Sequence, residues 1–490
     1  VLADASAMLL GLLLLALLVG ATTALTASEY DPAGLYDVDY LKLSNGFDVI
    51  LKRRTQAHSV SVRLVVNVGS RNFPCAKRET PHFFEHLLFM GTSKHSEAEL
   101  ARLIQDHGGA WNGYTLPTET GYQIDIFAKY LPLAIDTLYE MMTDTVITPK
   151  TIESARAVIH RERSDNFSWL VRWVYKNGLF KSASIKAGEL LLSGTGVLCP
   201  GFITPDGVQE KDVKDTYHNY YVPSNMTLVV VGNFDKRSLV SQIKATFAQM
   251  APRAPKRTKV VTPPYMTGST QVTGTLSPLV GSDGSIGFLY RTDGYEANLR
   301  DYYALWVAWK YLERVLYEKI RIERALSYSP ASYFTADRDY GLFAIAADVN
   351  LDKMQTAKPL LEQELENLRR GRLNTHDVEM AKRRILLARV QAYETNSAIA
   401  AYYVTKRYEL QKTGKLTNHE AAIAKVTVAD IKRVANKYLR SDRQVVMWAE
   451  PTFTYTQFVI LLAVLIVGVP GLAFYLVRRF LKNRQATGAL

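Results

Sequence analysis

The 490-residue chain predicts an α+β protein of two similar lobes, each a largely antiparallel sheet with helices packed on one side, followed by a C-terminal transmembrane helix. Three observations carry this expectation. Segments of strand and helix periodicity run in the order strand, helix, strand, paired helices, and that order restarts after a linker rich in proline and charge. The chain is too long for one core, and its 48% hydrophobic and 22% charged content is ordinary for globular protein. Near the C-terminus, an uncharged run from Phe458 to Val477 has the length of a bilayer crossing.

The first lobe is expected over residues 32–250. Tyr40 to Leu43 and Phe47 to Leu51 read as strands split by Ser44-Asn45-Gly46, because Asn-Gly favours a tight reversal. Val60, Val62, Leu64, Val66 and Val68 alternate with Ser61, Arg63, Val65 and Asn67, which predicts a strand with one principal buried face. A helix from Glu97 to His107 stops at Gly108-Gly109, and strands follow at Trp111 to Thr115 and Gly121 to Phe127. Leu131 to Thr143 and Pro149 to Asn166 are expected helices. The apolar strand Thr227 to Gly232 precedes a helix from Lys236 to Met250.

Residues 251–268 form the expected linker, with Pro252, Pro255, Pro263 and Pro264 and no apolar period. The second lobe is expected over 269–451. Strands are read at Ser285 to Tyr290 and Gly341 to Val349, and helices at Tyr302 to Lys319, Lys353 to Leu368, Thr375 to Thr395 and Val426 to Tyr438. The glycine-rich segment Gly281 to Gly287 reads as a turn, since it lacks the strand-to-helix setting of a phosphate loop.

The two ends point to a membrane. Within residues 1–28, the Leu-rich run Met8 to Val19 and the small residues after it predict either a secretion signal or an uncleaved N-terminal anchor. Arg478, Arg479, Lys482 and Arg484 follow the transmembrane helix, 458–477, in a basic tail, 478–490. Positive residues favour the cytoplasmic side, so the body is expected outside the cytoplasm, periplasmic or extracellular. The net charge of +12 is spread without a block of cations interleaved with aromatics, so no nucleic-acid partner is expected. Cys75 and Cys199 either pair across a long loop or stay free; neither has a second cysteine nearby for a zinc knuckle.

The sharpest local signal runs from Thr80 to Gly91. Thr80 is the expected N-cap, and Pro81 tolerates a first helical turn because its missing N–H has no partner to lose. His82 and His86, one turn apart, then share a helix face and can reach one Zn²⁺, while Glu85 sits beside them to handle the proton of a water. Phe83, Phe84, Leu87, Leu88 and Phe89 would bury this helix, and titratable groups in such surroundings need a partner to offset desolvation. H-x-x-E-H is the inverted order of the H-E-x-x-H zinc motif. Two imidazoles leave a catalytic zinc one protein ligand short, and a carboxylate on another helix is the expected third. Glu162, 76 residues beyond His86, is the candidate, with Glu153 as the alternative.

The motif, its spacing to Glu162 and the Val158-x-x-x-Glu162 ending resemble the pitrilysin/insulinase family of zinc peptidases, in particular its mitochondrial-processing-peptidase-like branch, here of bacterial type with a membrane tail. The resemblance covers about Tyr36 to Pro451. It implies one Zn²⁺ per chain on His82, His86 and Glu162, with Glu85 as catalytic base. Gly109-Ala-Trp-Asn-Gly-Tyr-Thr115 is similar to the family's edge strand, which takes substrate as an added β-strand, and implies substrate-binding roles for Asn112 and Gly113. Tyr217 to Asn233 matches the segment that closes the family's first lobe. Arg321 and Tyr328 match an Arg/Tyr pair that contacts the substrate and its developing oxyanion, a task suited to a cation and a phenol. The chain departs from the family at Glu79-Thr80-Pro81, where Gly-Leu-Ala is usual, and at Ala155, where a glutamate is usual.

The implied function is a zinc-dependent endopeptidase that hydrolyses extended peptides or small unfolded segments inside a clam-shaped chamber. The alternative is a non-catalytic structural or binding subunit of a membrane-associated complex. In the family, one site draws on lobes from opposite halves of the chamber, so a chain with two lobes implies a homodimer, or a heterodimer with a related chain. Arg321 and Tyr328 of one subunit would then serve the zinc of the other.

Overall fold

The computed structural model describes residues 31, 34–163, 169, 173, 181–192, 199, 203–258, 261–275 and 280–486. The N-terminal apolar run and the whole segment 1–28 lie outside the described residues.

Two mixed sheets organise the chain. The first half supplies β1 (Asp39–Lys42), β2 (Asp48–Arg53), β3 (Ser59–Val66), α1 (Thr80–Leu87), α2 (Glu97–Gln105), β4 (Ala110–Thr115), β5 (Thr120–Phe127), α3 (Leu131–Thr143), α4 (Pro149–Glu162), α5 (Ala183–Leu191), α6 (Glu210–Tyr220), β6 (Met226–Gly232) and α7 (Lys236–Ala245). Its strands lie in the order β1-β2-β6-β3-β5-β4, and only the β2–β6 pair is parallel. Gly46, at φ +88°, makes the reversal between β1 and β2, a backbone state that a side chain would resist.

The second half supplies β7 (Thr270–Thr275), β8 (Asp283–Asp293), α8 (Leu299–Leu316), β9 (Ala331–Ala336), β10 (Tyr340–Asn350), α9 (Met354–Arg370), α10 (Thr375–Ala392), α11 (Asn396–Thr413), α12 (His419–Ala424), α13 (Val428–Tyr438) and β11 (Val445–Glu450). These strands order as β7-β11-β8-β10-β9, with β7–β11 the parallel pair. Strand for strand, this repeats β2-β6-β3-β5-β4. The repeated order and the repeated position of the parallel pair are what a duplicated unit would leave behind. Of the Gly281–Gly287 segment, only Gly281 and Ser282 lie outside β8, so the expected turn is shorter than its glycine content suggests.

One expectation needs correction. Helices do not cover only one side of the first sheet, and β3 does not have a single buried face: every residue from Val60 to Val66 is buried. The reason is α11, a helix from the second half that packs across β3 and β6 on the face opposite α1 and α3. Its Ile399, Ala400, Tyr403 and Val404 meet Ile50, Val65, Val229 and Val231 in a separate apolar cluster. A strand covered on both faces loses the alternation of burial on which the sequence expectation rested.

Polar anchors fix α11 in place. Asn396 donates to the Ser59 carbonyl at 2.8 Å, and Tyr403 donates to the Leu35 carbonyl at 2.7 Å. Arg407, fully enclosed, pairs with Glu119 at 2.6 Å and donates to the Asn67 side-chain oxygen from both Nε (3.0 Å) and Nη2 (2.9 Å).

Beyond β11, α14 (Tyr455–Ala463), a π-helical turn at Val464–Gly468 and α15 (Val469–Ala486) run on without a break. Pro470 has no N–H to donate and its ring crowds the carbonyl one turn back, so a widened turn just before it keeps the helix continuous. Tyr455–Arg479 is long and apolar enough to cross a membrane, and none of its apolar stretch is buried against the body. Cys75 and Cys199 form a disulfide across 124 residues of sequence, with Cα atoms 5.5 Å apart.

Replacing Arg407 by alanine would strand Glu119 in a nearly closed site and remove two bonds to Asn67. The expected loss of unfolding free energy is about 3–5 kcal/mol, measurable by denaturant titration. A loss below about 1 kcal/mol would mean that the second-half helix is held by its apolar face alone.

Candidate metal centre and active site

Thr80 is the first residue of α1 rather than its N-cap. Glu79 occupies the capping position with helical backbone angles and no side-chain cap bond, while the Thr80 hydroxyl donates to the Lys77 carbonyl at 2.6 Å. Phe83, Phe84 and Leu87 are buried in the core, which leaves His82, Glu85 and His86 partly exposed. The helix backbone is held from beneath: the Tyr122 phenol of β5 donates to the Phe84 carbonyl at 3.0 Å and bonds the Tyr221 phenol at 2.8 Å.

The third wall is α4. Thr148 caps it by accepting from the Thr151 N–H at 3.2 Å, Pro149 follows the cap, and Ile152, Ala155 and Ile159 bury one stripe in the core. That stripe delivers Glu162, in the last turn, to the two imidazoles. Glu162 Oε2 lies 3.1 Å from His82 Nε2 and 3.2 Å from His86 Nε2, and the two Nε2 atoms are 3.2 Å apart. Glu153, the alternative ligand, is engaged instead by Arg156 on the same helix at 3.1 Å.

The triangle fits a small tetrahedral ion. Ligand bonds of about 2.0–2.1 Å would set neighbouring donor atoms about 3.3–3.4 Å apart, close to the three separations found. The donor set of two imidazoles and one carboxylate also suits zinc, and three protein ligands leave one position open. Among the described residues, these three form the one such cluster.

Electrostatics favour a cation. Glu79 is buried, accepts from His82 Nδ1 at 2.8 Å and pairs with Arg163. Its bond to Nδ1 leaves Nε2 turned toward Glu162 and His86, the arrangement in which an outer carboxylate sets a metal-ligand histidine's tautomer. Burial alone would lower the His82 pKa, but the Glu79 hydrogen bond and the charges of Glu85, Glu79 and Glu162 outweigh it and hold it above the ordinary value. Sequence reasoning assigned Glu79 no role; its place one turn before His82 was the available signal.

Glu85 stands beside the triangle, with Oε2 4.0 Å from His82 Nε2. Across from it runs β4, the free edge of the first sheet. Gly113 on β4 lies so close that a Cβ there would come within 2.8 Å of Glu85 Cγ and 2.9 Å of the Phe89 ring. Asn112 is exposed, and its Oδ1 accepts from the Gly113 N–H at 2.9 Å. Thus His82, Glu85, His86, Glu162 and Gly113 are brought together, with Asn112 next to them on the edge strand.

Arg321 and Tyr328 lie elsewhere in the chain. Arg321 sits in a π-helical turn, Tyr317–Ile322, that extends α8; it donates to the Tyr328 carbonyl at 2.9 Å and stacks 4.1 Å from the Tyr328 ring. Tyr328 is 78% exposed. The pocket that the pair lines is built entirely from second-half residues, so within one chain these two side chains and the histidine triangle do not share a pocket.

Two family models match: Insulinase (Peptidase family M16) over residues 48–177, and Peptidase M16 inactive domain over residues 207–385. An uncharacterized zinc protease of Streptomyces coelicolor is 24% identical over 443 residues, 86% of this chain and 91% of that protein. A protease from Helicobacter pylori superposes with a TM-score of 0.70 at 20% identity, covering 85% of this chain and 100% of that one. The periplasmic protease PqqL from Escherichia coli superposes with a TM-score of 0.67 at 17% identity, over 84% of this chain but 47% of that longer one. The superpositions show a common two-sheet fold. The chain carries domains of the peptidase M16 (insulinase) family and has homologues named as zinc proteases.

Proposed function

We propose that this protein is a zinc-dependent endopeptidase acting on extended peptides or small unfolded segments, with His82, His86 and Glu162 as metal ligands. The observation that carries the reading is the triangle of 3.1–3.2 Å between three donor atoms, with a carboxylate beside it and a free sheet edge across from it. Bound there, zinc supplies Lewis-acid polarisation of a water and of the scissile carbonyl. Glu85 takes the proton of the attacking water and returns it to the leaving amine. The substrate extends along β4 as an added strand, so main-chain bonds supply affinity with little demand on side-chain identity, and Asn112 and Gly113 flank the scissile bond.

Arg321 and Tyr328 complete the site from a second subunit, where the guanidinium and phenol donate to the oxyanion. Two facts support this division: the pair lines a pocket made of second-half residues alone, and PqqL is a chain about twice as long whose first half has the same fold. The chamber is then formed by two copies of this chain, or by this chain with a relative. The body lies outside the cytoplasm, anchored by the Tyr455–Arg479 helix. The Cys75–Cys199 disulfide is consistent with an oxidising compartment, and PqqL is described as periplasmic.

Purified protein should contain zinc at one ion per chain by elemental analysis and cleave a quenched peptide library. Glu85→Gln should keep the zinc and lose about 10²–10⁴-fold in kcat. Wild-type protein with neither zinc nor cleavage would sink the reading.

Glu79→Gln tests the carboxylate behind His82. Zinc affinity measured by chelator competition should fall about 10–100-fold, with KM for peptide unchanged. An unaltered zinc affinity would reduce Glu79 to a partner of Arg163.

The division of the site between subunits is tested by mixing. Glu85→Gln and Arg321→Ala chains, each weakly active alone, should regain activity as verified heterodimers, because one of the two sites then carries neither substitution. Failure of those heterodimers to exceed the parents would assign each site to a single chain.

A further inference from the structure

A cavity of about 540 Å³ lies where the β4–β5 turn of the first lobe meets β10, α10, α11 and α12 from the second half. None of the metal-triad residues lines it, and it does not depend on the peptidase reading. Its walls carry four cations, Arg338, Arg389, Lys406 and Arg407, against two carboxylates, Glu119 and Asp337. Most of these charges are spoken for. Arg407 pairs with Glu119 at 2.6 Å, Arg338 with Glu296 at 3.0 Å, and Asp337 accepts from the Arg338 N–H at 2.8 Å and faces Arg71 at 3.5 Å.

Two cations retain unused donors. Lys406 makes no hydrogen bond or ion pair among the described residues; its ammonium lies 5.4 Å from the centre of the Tyr295 ring, in the field of Glu409 and Glu420. Burial pushes that ammonium down to about 8, which still leaves it mostly charged at neutral pH. Arg389 gives its Nε–H to Glu420 at 2.7 Å, but its Nη2 is buried with no partner. Glu420 is shared between Arg389 and the Tyr36 hydroxyl.

A neutral polar atom on the same walls is also left unpaired, the Tyr402 hydroxyl, while His419 Nε2 faces Glu409 Oε2 at 3.7 Å. Arg389 and Tyr402 are 7% and 4% exposed, so bulk water does not satisfy them. Folded proteins seldom bury several unpaired polar atoms around one cavity, because each forfeits its hydration without replacement. Glu409 and Glu420 do not line the cavity and are engaged by Thr417, His419, Arg389 and Tyr36, so the donors left over, on Lys406 and Arg389, call for an anion. The remaining walls include the rings of Tyr302, Trp306 and Tyr393, which suit a flat apolar body, and the volume is that of a small-molecule site.

We propose that this cavity binds a small organic anion, an oxyanion head group carried on a flat apolar body, with Lys406 and Arg389 as its cationic donors. The head group is a carboxylate or a phosphate. The β4–β5 turn forms part of the wall, so the occupant would lie at one end of the strand whose other residues border Glu85.

The test is calorimetric titration of the full chain in detergent with phenylpropionate, phenyl phosphate and the uncharged phenylpropionamide. Saturable binding of at least one anion and none of the amide is expected, and the preferred anion identifies the head group. Lys406→Met should weaken that anion about tenfold or more, whereas Lys406→Arg, which keeps the charge, should largely retain it. Hydrogen exchange with the bound anion should slow at residues 116–119 and in α11. Binding of neither anion, equal binding of the amide, or unchanged affinity in a folded Lys406→Met protein would overturn the proposal.

Discussion

The enclosed guanidinium of Arg407 is the contact on which the arrangement of the molecule turns. It belongs to a helix from the second half of the chain, yet its partners, Asn67 and Glu119, lie at the end of β3 and in the turn that joins β4 to β5. A charge taken out of water is tolerated only when its donors are nearly all matched, and here the match spans the two halves. The same helix shields the outer face of β2, β3 and β6, which is apolar at Ile50, Val65, Val229 and Val231. Without that cover, the first sheet would present a continuous hydrophobic surface to water. The two lobes are therefore not beads on a linker; the first is incomplete without a segment encoded well beyond it.

That dependence reaches the candidate site. Among the described residues β4 is hydrogen-bonded on one side only, and an edge strand keeps its place through its single neighbour and its end turns. Glu119, in the turn, is fixed by Arg407, while Gly113, further along the strand, is in van der Waals contact with the Glu85 side chain. The position of Glu85 relative to the histidine triangle thus rests on packing from both sides: the buried aromatic face of α1 below and the edge strand beside it. Carboxylates outnumber fixed cations around the triangle, and the raised pKa of His82 reports the same excess. An arrangement of this kind is stabilised by a dication, which would meet all three donor atoms at once.

Much of this was legible in the residues. The inverted zinc motif and most helices with a clear apolar stripe were readable because each depends on local spacing, whereas Glu162, 76 residues beyond His86, and the edge strand were singled out by the family resemblance. What escaped was whatever depended on a distant partner. α11 has apolar or enclosed residues all around it, at Ile399, Tyr402, Tyr403, Val404 and Arg407, because it is packed between the first sheet and the second lobe, so no single stripe marks it as a helix. The doubly covered β3 lost its alternation for the same reason. β7, β9 and β11 are short segments whose register is set by pairing across long separations. Glu79 read as a mere departure from the family pattern, since its value lies in a buried bond to His82 and a pair with Arg163, 84 residues away.

The repeated strand order sets an asymmetry that bears on the proposed reaction. α8 follows β8 as α1 follows β3, but α8 carries no histidine, and the polar pair Arg321 and Tyr328 comes only after the π-helical turn that extends it. The two halves share an architecture while dividing the proposed chemistry: one presents the His82–His86–Glu162 triangle and Glu85, the other Arg321 and Tyr328. The surface of the second lobe that meets the first is already occupied by α11 and the interlobe cavity, and Arg321 is on neither. In the proposed reaction, the two sets meet around one peptide bond when the Arg321 face approaches a first lobe other than its own. A second copy of the chain meets that requirement by symmetry, since each copy then offers to the other what its own metal lobe lacks.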